Sequence, residues 1–237
     1  MKIISQKIFN LSSNGKSIPV MVRKNKQSKN YKLTFDKKNL RGFISIPRHI
    51  TFIDGINFAK ENKKWLFEQY NENHPVLYIN QGTEIPFENN IKKIIFLNEN
   101  KNHIYATDDN IIVINNNGNH KKKLEAWMRN RLLSKASQII KEVSITFGVK
   151  TKNIKLSNSF SSWGSCNSNK DISINWRLIF APQEILKYII VHEICHLIEF
   201  NHGKKFWSLV SKACPEKDNA IKWLKKNEND LYKIRFN

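Results

Sequence analysis

Apolar and polar side chains alternate over residues 17–23, 31–35 and 42–46, which predicts three strands. The turn formers Asp36-Lys37-Lys38-Asn39 predict that the last two pair as a hairpin. From about Asp54, read as an N-cap, Ile56, Phe58, Ala59, Trp65, Leu66 and Tyr70 recur at helical spacing and predict a helix with one apolar side. Short β-type runs follow at 76–79, 94–97, 103–106 and 111–114, separated by Asn, Gly and Asp. The first half is therefore expected to be rich in strands.

The polar stretch Asn115-Asn116-Asn117-Gly118-Asn119-His120 marks the expected internal boundary. It divides the chain into a β-rich basic N-terminal region with one helix, 1–118, and a second domain, 119–237, with no internal repeat evident. Leu124, Trp127, Met128, Leu132, Ala136, Ile139, Ile140 and Val143 keep a helical period, predicting a long helix over 121–147 that stops at Gly148. Strands are expected at 154–157 and 172–176, with a hairpin-like turn at 167–170. After Ala181-Pro182, the most apolar helix of the chain is expected from Glu184 to about Phe200. With a β-rich first half and a second half of long helices and short strands, the expected fold class is α+β.

Composition narrows the function classes. With 40% hydrophobic residues and six Trp in 237 residues, the chain has the apolar surface for a core, which excludes wholesale disorder. No apolar run reaches the roughly 18 residues a membrane span needs. The start Met1-Lys2-Ile3-Ile4-Ser5-Gln6-Lys7 turns polar too early for a signal peptide, so a cytoplasmic location without a membrane partner is expected. Cys166, Cys195 and Cys214 are too few for a disulfide scaffold, which fits a reducing compartment. The formal charge of +20 is concentrated in 1–80 and 121–157. Such excess favours phosphates or another anionic surface, although lysines scattered among asparagines also serve as a solvated coat.

The chemistry lies in Val191-His192-Glu193-Ile194-Cys195-His196, an H-E-x-x-H sequence. Four residues is about one helical turn, so His192 and His196 share a face and can offer ring nitrogens to one metal ion. Glu193 lies about 100° round the helix, within reach of a water held there but outside the ligand set. Imidazole ligands favour zinc, and a catalytic zinc takes three protein ligands and one open position. His202 is the expected third ligand, with Glu216 the alternative. Asn201-His202-Gly203 is where the helix should break and turn back. The bland alternative, core histidines on a buried helix, leaves a Glu among Val191, Ile194 and Leu197 without a role. Cys195 points off the ligand face and reads as a core thiol, and His49, His74, His103 and His120 read as surface histidines. Trp163-Gly164-Ser165-Cys166 could line a cleft, Gly164 allowing close backbone approach.

Taken together, Ser162-Trp163-Gly164-Ser165-Cys166, Asp171-Ile172-Ser173-Ile174-Asn175-Trp176-Arg177-Leu178, Ala181-Pro182, the H-E-x-x-H segment and Asn201-His202-Gly203-Lys204-Lys205-Phe206-Trp207 closely resemble the YgjP-like zinc metallopeptidases. These are relatives of the SprT-like and WLM proteases. The resemblance extends more loosely through the first half, where the family has a Trp-containing helix, here around Trp65. It implies zinc on His192, His196 and His202, Glu193 as catalytic acid/base, and a zincin-like core backed by the helix 121–147. Some members are described instead as pyrophosphatases acting on UTP. Arg177 could then meet a nucleotide phosphate, although pairing with a nearby acid is the expectation favoured here.

The leading expectation is a zinc-dependent peptidase acting on polypeptide, with Glu193 moving the proton. The alternatives are a nucleoside triphosphate pyrophosphatase on the same site and a zinc-stabilised nucleic-acid-binding module. The last leaves Glu193 without a role.

Overall fold

The Asn14-Gly15 dipeptide adopts positive φ at both positions, 48° and 72°, and joins two strands by a two-residue turn. The computed structural model, which describes residues 5–236, thereby begins with β1 (Gln6–Ser13) and β2 (Lys16–Asn25), followed by β3 (Lys32–Asp36) and β4 (Arg41–Pro47). The sheet order is β1-β2-β4-β3, with the expected β3–β4 hairpin antiparallel and the central pair parallel. Ile18, Val20, Val22, Ile44 and Ile46 are fully buried with Ala59 of α1 (Phe52–Glu61) and Leu66 of α2 (Lys63–Glu72). Gly42 lets α2 approach closely, because a Cβ there would lie 2.8 Å from Leu66 Cδ2.

Two details differ from the sequence reading. Thr51, not Asp54, caps α1. Asp54 occupies the third position, accepting from the Thr51 backbone while Thr51 accepts from Asp54 N–H, both at 3.1 Å. The single helix expected is two, because Asn62 leaves the helical run at φ −95°, ψ 19° and its Nδ2 donates to the Phe58 carbonyl at 2.9 Å.

The second unit starts with β5 (Leu77–Tyr78), β6 (Glu84–Phe87), β7 (Asn90–Leu97), β8 (His103–Ala106) and β9 (Asn110–Ile114). Its sheet order, β6-β7-β9-β8, repeats the strand order and pairing sense of the first unit, a parallel centre between antiparallel hairpins. The repeat is one of topology, which a search for self-similar sequence does not see. α3 (His120–Phe147) buries Leu124, Met128, Leu132, Ala136 and Val143, and ends at Gly148 with φ 63°.

β10 (Ile154–Ser157), β11 (Gly164–Cys166) and β12 (Ile172–Asn175) make a three-stranded sheet in the order β10-β12-β11. The turn at 167–170 joins β11 to β12, and β10 runs parallel to β12, so the hairpin partner of β12 is the segment Gly164–Cys166 expected to line a cleft. After a 3-10 turn over Trp176–Phe180 come α4 (Gln183–Cys195), α5 (Lys204–Ala213), α6 (Lys217–Lys233) and β13 (Ile234–Arg235), which pairs with β5.

The chain is α+β, as expected. Its two units are Met1–Val76 and Leu77–Asn237, so the division falls well before 118/119. Ile85, Phe87, Ile94, Ile111 and Val113 of the second four-stranded sheet share one core with α3 and α4, and β5 is tied to β13. His120, expected at the surface, is buried against Phe96, with Nε2 3.0 Å from the Leu97 carbonyl oxygen. Among the described residues, no helix is long and apolar enough to cross a membrane.

Candidate metal centre

The site begins with the apolar periodicity of α4. Ile185, Leu186, Ile189, Ile190, Val191 and Ile194 are buried, and this packing fixes the helix so that His192 and His196 leave it on one side, a turn apart. The helix ends sooner than the expected Phe200. After Cys195 the backbone tightens, Leu197 N–H donating to the Ile194 carbonyl and Ile198 N–H to that of Cys195. This early break returns the chain to His202. Among the described residues, His192, His196 and His202 form the group whose ligand atoms lie within 4.8 Å of one another.

The ring orientations suit an ion. His196 Nδ1–H donates to the Glu199 carbonyl at 3.3 Å, leaving Nε2 free to ligate. His192 Nε2 and His202 Nε2 are 3.1 Å apart. Two nitrogens at roughly 2.0–2.1 Å from one tetrahedral zinc stand about 3.3 Å apart, so the pair fits that geometry closely. His192 Nδ1 is buried without a hydrogen-bond partner, and packing holds its ring instead. Phe206, fully buried at the start of α5, touches all three imidazoles, with ring centroids 4.6–4.9 Å away. Burial, with His196 and His202 beside it, pulls His192 down to about 4. That keeps the ring neutral, the form a metal ligand needs. Burial also lowers His196.

Glu193 is 5% exposed, and burial pushes its carboxyl up to about 7. It lies against β11, where Gly164 leaves the room its carboxylate occupies. β11 is the outer strand of its sheet, paired only with β12 among the described residues.

The alternative ligand Glu216 is not in the histidine group; its carboxylate accepts from Asn219 Nδ2 at 2.5 Å. Cys195 is fully buried, with its thiol pushed up to about 11 by burial. Arg177 has a structural place, as favoured, although its partners are not acids. Its Nη1 donates to Asn158 Oδ1 at 2.8 Å and its Nε to the Ile234 carbonyl at 3.2 Å, with the guanidinium 4.3 Å from the Phe160 ring centre. Burial foremost, then the charge of Arg235, lowers it to about 10. Sequence reasoning gave no role to Phe206 or to Asn175, both fully buried. Their only sequence signal was membership of the motif blocks around the histidines.

A three-imidazole cluster beside a buried carboxylate at a sheet edge is the kind of site a metal-dependent hydrolase presents. A family model described as YgjP-like, metallopeptidase domain, matches residues 29–227, and the chain belongs to this family. Two metallopeptidase zymogens are similar among solved structures. Jannalysin of Methanocaldococcus jannaschii is 25% identical, over 39% of this chain and 89% of that one, with a TM-score of 0.35. Abylysin of Pyrococcus abyssi is 19% identical, over 39% and 95%, with a TM-score of 0.36. No curated protein matches.

Proposed function

We propose that the chain is a zinc-dependent endopeptidase in which His192, His196 and His202 hold the metal and Glu193 is the catalytic base. The observation that carries this reading is the convergence of three ring nitrogens within 4.8 Å, with a buried carboxylate on the residue after the first of them. Zinc bound there would supply Lewis acidity toward a carbonyl oxygen and toward water.

The chain's own residues do the rest. Glu193 takes a proton from the attacking water on a carboxylate oxygen and returns it to the leaving nitrogen. Phe206 keeps the imidazoles packed and limits water around them. The open edge of β11 can pair with an extended polypeptide through backbone hydrogen bonds, a mode that reads little side-chain identity.

The pyrophosphatase alternative draws no support from Arg177, whose donors face Asn158 and the Ile234 carbonyl. Comparing the wild type with Glu193→Gln on unfolded protein and on UTP tests the assignment.

A further inference from the structure

The segment 158–163 leads directly into β11, yet it is irregular backbone with exposed serines, and its position is set by buried polar groups elsewhere. Asn175, fully buried at the end of β12, donates from Nδ2 to the carbonyls of Ser159 and Ser162, at 2.8 and 3.0 Å. Its backbone N–H donates to the Trp163 carbonyl at 2.9 Å, and its Oδ1 accepts from Arg177 N–H at 3.2 Å. Asn158 Oδ1 takes two donors at once, Arg177 Nη1 at 2.8 Å and Trp176 Nε1 at 3.0 Å.

Arg177 is the unusual member. It is 2% exposed, and no ion pair to a carboxylate offsets its charge among the described residues. A buried guanidinium with no carboxylate partner among the described residues is costly, which points to a geometric task. That task is visible in its reach. One arm holds Asn158, another the Ile234 carbonyl of β13, and its face lies on Phe160. Phe160 and Trp163 both stack on Tyr232 of α6, at 5.6 and 4.5 Å. The next residue is Gly164, on which the Glu193 carboxylate rests.

We propose that Asn158, Asn175 and Arg177 form a polar clamp that positions the segment 158–163, and through it β11, as the ledge on which the peptide is held beside Glu193. The clamp acts through the strand and touches no reacting atom, so these are positioning residues. His192 and Glu193 stand on α4, and His196 and His202 follow its end, all outside the clamp, with the three imidazoles packed on Phe206. The clamp therefore governs peptide affinity and leaves the chemical step nearly unchanged. The inference rests on the peptidase reading for the identity of the ligand.

Asn158 is exposed, so Asn158→Ala removes the acceptor without opening a cavity in the core, and Asn158→Asp restores an acceptor for both donors. Two measurements apply: amide hydrogen exchange, and anisotropy of a labelled extended peptide bound to zinc-loaded protein carrying Glu193→Gln, which halts turnover. In Asn158→Ala, exchange should quicken over 158–166 and not in α4, and the peptide Kd should rise about fivefold to tenfold. Without the Glu193 substitution, kcat should stay within about twofold of the wild type. Asn158→Asp should recover most of the affinity. Unchanged exchange in Asn158→Ala, quickened exchange with unchanged Kd, or a lost kcat with intact Kd would each overturn the clamp. A wild type that binds the peptide but never cleaves it removes the peptidase reading and leaves the clamp standing. A wild type that binds no peptide overturns the ledge itself.

Discussion

Gly164 and Glu193 are in backbone-to-carboxylate contact: a Cβ placed on Gly164 would lie 2.5 Å from Glu193 Oε1 and 2.7 Å from its Cγ. No side chain fits there without moving the carboxylate. The glycine is thus needed for room, since its φ is not in the left-handed region. Gly164→Ala should fold and keep its metal while kcat falls by about 10- to 100-fold, because a small displacement of a proton acceptor is costly. Steady-state kinetics with parallel metal analysis checks this, and an unchanged kcat would show that the carboxylate tolerates displacement.

The ligand assignment makes its own prediction. The purified protein should carry about one zinc per chain, and His196→Ala and His202→Ala should each lose most of it. Glu216→Ala should retain it, because that carboxylate faces Asn219. Elemental analysis of the three variants separates the histidine set from the carboxylate alternative.

How far these residues could be read from sequence depended on the range of their interactions. The pair His192 and His196 was legible because one helical turn fixes both, and α3 was legible from its unbroken apolar period. The early end of α4 was not, since the Leu197 and Ile198 backbone bonds leave no mark in an apolar run. β1 was missed although Asn14-Gly15 is a strong hairpin signal, because Gln6–Ser13 has little apolar alternation. Asn175 and Arg177 looked like ordinary polar residues, as their side-chain donors reach acceptors between 13 and 57 positions away. The unit boundary was displaced for the same reason: the pairing of β5 with β13 joins the two ends of the second unit.

Glu88 supplies a pH prediction. Burial raises its carboxyl, but hydrogen bonds and charge from Lys135 and Arg131, both with Nζ or Nη2 at 2.6 Å, outweigh that and hold it below its usual value. A depressed folded-state value contributes stability that is present above the unfolded value near 4.3 and is lost as the pH falls through the folded value. Partial exposure limits this to about 0.5–1 kcal/mol. In thermal melts, Glu88→Gln should be less stable than wild type at pH 7, with the gap closing toward pH 3. A gap that stays constant with pH would remove the ion pairs from the explanation.

The charge of +20 predicts weak, sequence-independent binding of a labelled oligonucleotide at about 50 mM salt that fades steeply toward 200 mM. Absence of binding at the lower salt would leave the lysines as a solvated coat.

The central claim is that Glu193 moves the proton and the histidines hold the metal. It is tested most directly by assaying wild type and Glu193→Gln, matched for zinc content, on an unfolded protein and on UTP. The account predicts that the wild type cleaves the protein and leaves UTP intact, and that Glu193→Gln retains zinc and fold with proteolysis reduced by at least about 100-fold. Proteolysis at the wild-type rate in the variant, or Glu193-dependent hydrolysis of UTP with the protein untouched, would contradict it.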